Sequence, residues 1–305
     1  IKLAQKTKFS NLWLQTEKEM KQTLYTETMS GLMIERVVRR EEYSMQSRHI
    51  HRTYEVYFLL EGERYFFIGR ETYRIHAGTV VLVKRDQIHK TSVGDKAYHD
   101  RILLQIDGEW MDSYLKAHGM PEMEACFSYL GGALVPSGAE WGRLLEMLAG
   151  LREEMKGKQK WYELLAMQKL AEILVLLYRS KQQADMEVVQ TQLKADGWKY
   201  RKVSEIAAYL TEHCETDESL EQIAKRFYIS KSYLTRIFRE ITGLTVREYV
   251  NAGRIRKAQH YLKNSKRSIT EIADLTGFES ITYFERIFKR YVNVSPLKYR
   301  NGERG

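Results

Sequence analysis

The stretches SLEQIAKRFYISKSYLTRIFREITG (Ser219–Gly243) and SITEIADLTGFESITYFERIFKRYVNVSPLKYR (Ser268–Arg300) carry nearly the same message twice. Ile223 and Ala224 fall on Ile272 and Ala273, while Tyr233, Ile237 and Phe238 fall on Tyr283, Ile287 and Phe288. The offset grows from 49 to 50 between these points, so the second copy carries one extra residue, in its turn. A solenoid needs about three or more such units to bury its faces, so two copies point to a pair of modules.

Each copy reads as helix, tight turn, helix. In the first, Leu220, Ile223, Ala224 and Phe227 recur at helical spacing; Ser230 caps a second helix striped by Leu234, Ile237, Phe238 and Ile241. In the second, the stripes are Ile269, Ile272, Ala273 and Leu275, then Phe284, Ile287, Phe288 and Tyr291, with Gly277 supplying the positive φ of the turn. The small Ala224 and Ala273 allow two short helices to cross closely. The pattern is a helix-turn-helix, twice.

Residues off the apolar stripe of each second helix must face outward. They are Lys231, Ser232, Thr235, Arg236 and Arg239 in the first copy, and Ile281, Thr282, Glu285, Arg286 and Lys289 in the second. Arginine reads guanine O6 and N7, and small polar or apolar groups read a thymine edge, so both sets are expected to contact double-stranded DNA. Lysines and arginines further along suit phosphates, which set register without reading sequence. Between the copies, VREYVNAGRIRKAQHYLKN (Val246–Asn264) reads as one long helix. A stiff connector of this kind would hold two recognition helices about 34 Å apart, one turn of DNA.

The ordered pattern IA…SKSYLTRIFREITG…REYV…RIRKAQHYL…SITEIA…GF…TYFERIFKR…SPLKYR, over roughly residues 203–300, resembles the DNA-binding domain of AraC/XylS-type transcription regulators. Ser280, Asn293 and the apolar Ile281 depart from the usual pattern, which bears on the second unit's base preference and not on its fold. The resemblance implies a bacterial regulator that works as a homodimer, with RNA polymerase as a further partner.

Charge agrees with a polyanion-binding C-terminal module. From Gly197 onward there are 21 Lys and Arg against 13 Asp and Glu, whereas the preceding residues hold 28 against 27. Nearly all of the overall +9 therefore sits in the last third.

The front of the chain changes character. From about Ser30, runs rich in Val, Ile, Tyr and Phe are punctuated by Gly62, Gly69 and Gly78, the spacing of an antiparallel barrel or sandwich that encloses a small ligand. Within it lies HIHRTYE, with His49, His51 and Glu55; Gly62 follows, and Gly78 precedes His89 by eleven residues. This spacing resembles the cupin barrel motifs, although Lys84, Asp86 and Val93 stand where Pro, Gly and Asn are usual. Residues i and i+2 of a strand share a face, so His49 and His51 both point inward if their segment is a strand.

Beside histidines that are satisfied structurally and bind nothing, two readings of that cluster stay open. Three histidines and a carboxylate are a first shell for a transition metal, which would make the barrel a metal sensor or a cupin enzyme. AraC-type regulators instead commonly use such a barrel to sense a small molecule, often a sugar, which the imidazoles and Glu55 would hydrogen-bond without a metal. The second reading is the expectation, with no cofactor and no reaction; Arg39, Tyr57 and Tyr65 are further candidates for the lining.

Two amphipathic helices are expected within residues 139–180. The first carries Trp141, Leu144, Leu145, Leu148 and Leu151; the second Leu164, Leu165, Met167, Leu170, Ile173, Leu174 and Leu177. They either pack on the barrel or form a dimer interface, and the resemblance favours the interface. A polar stretch after them reads as a linker.

The expected architecture is α+β and multidomain. It comprises a cupin-like β-barrel over 1–136, a helical dimerisation segment over 137–180, a linker over 181–200 and an all-α tandem helix-turn-helix over 201–305. Cys126 and Cys214 lie in no disulfide or zinc spacing. No apolar run reaches the length of a membrane span, and no h-region follows the opening IKLAQKTKF, so a cytoplasmic protein is expected. The missing initiator Met suggests a short preceding segment.

Overall fold

The computed structural model describes residues 21–41, 53–119, 123–183 and 194–302. The chain divides into two compact units, Ile1–Asp196 and Gly197–Gly305.

The first unit is built on eight strands: β1 (Lys21–Met29), β2 (Leu32–Arg39), β3 (Tyr54–Ile68), β4 (Glu71–His76), β5 (Val80–Val83), β6 (His89–Val93), β7 (His99–Ile106) and β8 (Gly132–Leu134). All the pairings are antiparallel, in the order β1-β2-β7-β3-β5-β8, and β4 and β6 pair with β3 off this path. The fifteen-residue β3 makes this possible. Its first half pairs with β5 and β7 and its second half with β4 and β6, and the register shifts between Leu59 and Glu61. Gly62 follows at φ +89, packed so closely that a Cβ there would lie 2.3 Å from the Tyr98 carbonyl oxygen. A side chain is thus excluded at the bend on both steric and conformational grounds.

The bulge has a consequence for side-chain parity. Before it, Glu55, Tyr57 and Leu59 point one way; after it, Arg64, Phe66 and Ile68 do, because one extra residue exchanges the faces. Tyr57, Leu59, Phe66, Ile68, Ile75 and Leu103 make the apolar part of the barrel interior. On the opposite face Val56, Phe58, Leu82, Ile102 and Leu104 pack under helices.

Those helices are α1 (Gly108–Ala117), α2 (Met123–Leu130), α3 (Gly138–Gly157) and α4 (Tyr162–Gln183). A capping box between Ser137 and Glu140 starts α3. Leu144, Leu148 and Leu151 of α3 and Leu170, Ile173, Leu174 and Leu177 of α4 are all buried in one cluster with the outer face of the sheet. Most of the leucine in this segment is therefore used in covering the barrel. Trp161, Leu164 and Leu165, at the start of α4, stay exposed.

Helix α4 runs through Gln183, and α5 (Trp198–Glu212) begins at Trp198, so the segment expected to be a linker is helical at both ends. Just before α5, Lys194 bridges to Tyr73 of β4, and the Ala195 N–H donates to the Thr72 carbonyl at 2.9 Å. No helix among the described residues is long and apolar enough to cross a membrane.

The second unit is all helical. After α5 come α6 (Leu220–Arg226), α7 (Lys231–Thr242), α8 (Val246–Asn264), α9 (Ile269–Leu275), α10 (Ile281–Val292) and α11 (Pro296–Arg300). Ser219, Ser230, Thr245, Ser268, Ser280 and Ser295 cap six of them, each side-chain oxygen accepting the backbone N–H three residues on, in the first turn of its helix. The apolar stripes of α9 and α10 close a core with Ile255, Ala258 and Leu262 of α8. Leu275 is an exception to the expected stripe: it ends α9 exposed, and the fully buried Thr276 takes the inward position, its hydroxyl bonded to the Ile272 carbonyl at 2.6 Å.

Candidate nucleic-acid interface and effector site

Helices α7 and α10 are the second helices of the two repeats. Over their first ten residues they bury and expose the same positions, one for one. Leu234, Ile237 and Phe238 go inward on α7, and Phe284, Ile287 and Phe288 on α10. Lys231, Ser232, Thr235, Arg236 and Arg239 are all exposed, and so are Ile281, Thr282, Glu285, Arg286 and Lys289. All ten expected readers thus lie on the open faces of the two helices.

The two key arginines are held alike. Arg236 lies over the Tyr233 ring at 5.0 Å, and Arg286 over the Tyr283 ring at 5.2 Å. Stacking on an aromatic face restrains a guanidinium while leaving its five N–H donors in one plane. Arg236 has a loose ion pair with Glu240 at 3.7 Å, and Lys231 pairs with Glu221. Both are exposed pairs of the kind that contributes little, and DNA phosphates or bases compete with them readily.

The connector α8 is tied to both repeats. Its Tyr249 hydroxyl reaches the Ala207 carbonyl of α5 at 3.4 Å, and Asn251 donates to the Tyr283 hydroxyl at 3.1 Å. The Glu248 carbonyl accepts from the Tyr291 hydroxyl at 3.1 Å, and Arg254 donates to the Cys214 and Thr216 carbonyls at 2.5 and 3.0 Å. Arg254 and Lys257 thus brace the connector against the segment before α6, Lys257 through Glu215 at 2.5 Å. Arg247 was missed by sequence reasoning. It stands exposed in the first turn of α8, which the Thr245/Glu248 capping box starts, with its guanidinium 5.5 Å from the Tyr283 ring.

In the barrel, Glu55 and His89 come together from β3 and β6. His89 Nε2 lies 3.3 Å from Glu55 Oε2, and both side chains are buried. The other carboxylate oxygen accepts from Gln105 Nε2 at 2.8 Å. His89 Nδ1 lies 2.9 Å from the Gln87 carbonyl, which can only accept, so Nδ1 carries a hydrogen and Nε2 is the atom turned to Glu55. The remaining two members of the expected cluster, His49 and His51, lie outside the described residues.

Arg39 and Tyr57 face the interior. Tyr65 does not: it sits beyond the bulge on the opposite parity, and Arg64 takes the inward place. Sequence reading also missed His99 and Arg101 of β7, which share the inward parity of Leu103. The Tyr57 hydroxyl is pushed up by burial, against the pull of Arg101, Arg64 and Arg39. Burial drives His99 down to about 3, and the same three arginines push in that direction, so its imidazole is neutral near physiological pH.

Residues 223–302 match the helix-turn-helix domain family, and residues 33–174 match the AraC-like ligand binding domain family. The Msm operon regulatory protein of Streptococcus mutans is 25% identical over 81% of this chain and 84% of its own length. The transcriptional activator RhaS of Salmonella schwarzengrund is 38% identical over 101 residues, 33% of this chain and 36% of that protein. Among solved structures, ToxT of Vibrio cholerae aligns over 90% of this chain and 98% of that one, at 16% identity and a TM-score of 0.35. With a ligand-binding domain ahead of a doubled helix-turn-helix, the chain belongs to the AraC family of transcription regulators.

Proposed function

We propose that this regulator reads an extended DNA site with α7 and α10 and adjusts that reading when a small-molecule effector, a sugar or oligosaccharide, enters the barrel. The observation that carries the DNA part is the matched pair Arg236 over Tyr233 and Arg286 over Tyr283, set on helices that one connector holds together. Recognition by two helices is what an extended site requires, since a single short helix touches too few base pairs. In this reading Lys231, Ser232, Thr235, Arg236 and Arg239 face one major-groove segment, and Ile281, Thr282, Glu285, Arg286 and Lys289 the next.

The effector part rests on the polar wall that Glu55, His89 and Gln105 form on the inward face of the barrel. Such a wall offers both donors and acceptors to hydroxyl groups. Residues 1–136 would sense, 137–180 would pair two copies into a homodimer, 181–200 would transmit and 201–305 would bind DNA. RNA polymerase is the downstream partner of this reading. Ligand binding acts by favouring one of two arrangements of a dimer on DNA, and nothing in the scheme needs a reaction.

The test is a DNA-binding titration of the full chain on its own upstream region, with and without a panel of mono- and oligosaccharides, each with and without EDTA. A sugar that changes affinity or footprint regardless of EDTA supports the reading. A response that EDTA abolishes and no sugar alters would make the barrel a metal site, and bound metal with turnover would make it an enzyme.

A further inference from the structure

The outward face of α7 is bordered along one side by the first turn of α5. The Trp198 and Tyr233 rings lie 5.7 Å apart, centre to centre, and Lys199 Nζ donates to Glu240 Oε1 at 2.8 Å. Tyr233, Arg236 and Glu240 are spaced three and four apart, so they form one row down α7, next to the row of Ser232, Thr235 and Arg239. Contacts with α5 thus reach from the first turn of α7 to its last and leave the expected readers exposed. The bordering segment is Trp198-Lys199-Tyr200-Arg201-Lys202, three cations and two aromatic rings with no acid. Trp198 is half exposed, and Lys202 lies 5.7 Å from its ring and 5.9 Å from that of Phe227, which ends α6. Lys199 therefore stands toward the end of α7 and Lys202 toward the turn that precedes it, on a strip continuous with the reading face.

The second repeat is arranged in the same way. Arg247, exposed in the first turn of α8, has its guanidinium 5.5 Å from the Tyr283 ring, and Asn251, one turn on, donates to the Tyr283 hydroxyl at 3.1 Å. Tyr283 is the counterpart of Tyr233, so in each repeat the helix that precedes the helix-turn-helix sets a cation along the same flank of the second helix. A helix lying in a major groove about 12 Å wide has a sugar-phosphate backbone on each flank, so cations placed there meet phosphates and not base edges. Lys199 and Lys202 pair with Glu240 and Glu205 at 2.8 and 2.9 Å, and both carboxylates are exposed. Exposed pairs of this kind contribute little, and a phosphate displaces the carboxylate readily.

We infer that the starts of α5 and α8 are backbone grips: Lys199 and Lys202 take phosphates of the DNA strand that borders α7, and Arg247 takes a phosphate of the strand that borders α10. This rests on the DNA reading proposed above and adds to it a surface that fixes how the two helices lie in the groove without reading sequence. The rings beside Lys202 and Arg247 restrain these cations as Tyr233 and Tyr283 restrain Arg236 and Arg286.

The test uses the full chain, fluorescence anisotropy and two duplexes of equal length, one the segment of its own upstream region that it protects and one of random sequence. Lys199→Gln, Arg247→Gln and the double variant are compared with wild type between about 50 and about 200 mM potassium chloride. Each lost phosphate contact should make the slope of log K against log salt shallower by about one. Over this range the wild-type affinity should fall about threefold more than that of either single variant, and about tenfold more than that of the double. The loss should be equal on both duplexes, and Lys199→Arg and Arg247→Lys should keep the wild-type slope. Single methylphosphonate linkages, each removing one phosphate charge, locate the contact: one position should weaken wild type and leave Lys199→Gln unaffected. An unchanged salt slope in either single variant overturns the inference for that helix. A loss confined to the specific duplex overturns it as well, since the residue would then act through the geometry of the readers. Arg236→Ala is measured in parallel: if it keeps full preference for the specific duplex, base reading by Arg236 fails, while the salt slopes still decide the backbone grips.

Discussion

Tyr228 and Gly277 occupy the same position in the two helix-turn-helix turns, and both are left-handed, at φ 57 and φ 82. In each turn the next N–H bonds back to the alanine of the first helix: Ile229 to Ala224 and Phe278 to Ala273, both at 3.0 Å. Only one copy has the residue the conformation prefers. A left-handed backbone costs about 1–2 kcal/mol for a residue with a Cβ. The Tyr228 ring is 95% exposed and packs on nothing that would offset this. Tyr228→Gly should therefore stabilise the protein by about 0.5–1 kcal/mol, after allowing for the greater freedom of glycine in the unfolded chain. The reverse change, Gly277→Ala, should be costly, because its Cβ would lie 2.3 Å from the Glu215 carbonyl oxygen. Urea unfolding of the two variants checks both signs; a Tyr228→Gly protein no more stable than wild type would mean that the tyrosine has a favourable contact in the folded state.

The contrast between the two units shows what a sequence displays. In the helical unit the signals are local: serine caps, small residues at the crossing and a stripe of period 3.6 place α6 to α10, and all ten expected readers are exposed. Leu275 fails only because the helix stops there. In the barrel, parity decides which residue points inward, and parity depends on a bulge between Leu59 and Glu61 that no motif announces. This is why Tyr57 points inward and Tyr65 does not, and why Arg64 escaped notice. Glu55 and His89 were found from motif spacing, while Arg101 and His99 required the pairing of β7 with β2 and β3.

Arg236 and its neighbours should separate by kind of contact. If Arg236 reads a base, Arg236→Ala costs about 1–3 kcal/mol on the specific site and relaxes preference at one base pair. Fluorescence anisotropy on specific and random duplexes measures both quantities. Equal losses on the two duplexes, with a salt slope lower by about one, would assign Arg236 to a phosphate instead.

Glu55 faces Gln105 and His89 at once, so its removal leaves the buried His89 and the half-buried Gln105 without their carboxylate. Glu55→Ala should destabilise the protein by about 3 kcal/mol, the range for breaking one side of a buried pair. The double variant Glu55→Ala/His89→Ala should lose less than the sum of the two single losses, because each single change already breaks the shared contact. Additive losses in thermal unfolding would mean that the two residues act independently.

In the homodimer proposed above, the exposed start of α4 would be the place where the second copy meets the first. Trp161 is 69% and Leu164 56% exposed, and Leu165 lies beside them, although the rest of the helix is spent on the barrel. A two-fold interface of this kind is self-complementary, so one substitution is felt twice. Leu164→Asp with Leu165→Asp should convert a dimer to a monomer in sedimentation velocity and weaken binding to a two-half-site DNA, while a single half-site is bound as before. An unchanged sedimentation coefficient would move the interface elsewhere.

His99 sets a pH dependence whose sign can be worked out. In the unfolded chain its imidazole takes up a proton as pH falls through its ordinary value of 6.5; in the folded barrel, burial and the arginines delay that until about 3. Between these values the unfolded state binds more protons, so the His99 contribution is complete above 6.5 and is lost as pH falls. The slope approaches about 1.4 kcal/mol per pH unit for one fully shifted group. Urea unfolding of wild type and His99→Gln from about pH 7 to about pH 5 isolates this contribution as the difference between two curves, since other titrating groups contribute to both. The variant should show the shallower loss of stability on acidification. Parallel curves would mean that His99 gains its proton in the folded barrel as easily as in the unfolded chain, and that the positive field around Tyr57 is weaker than three converging arginines require.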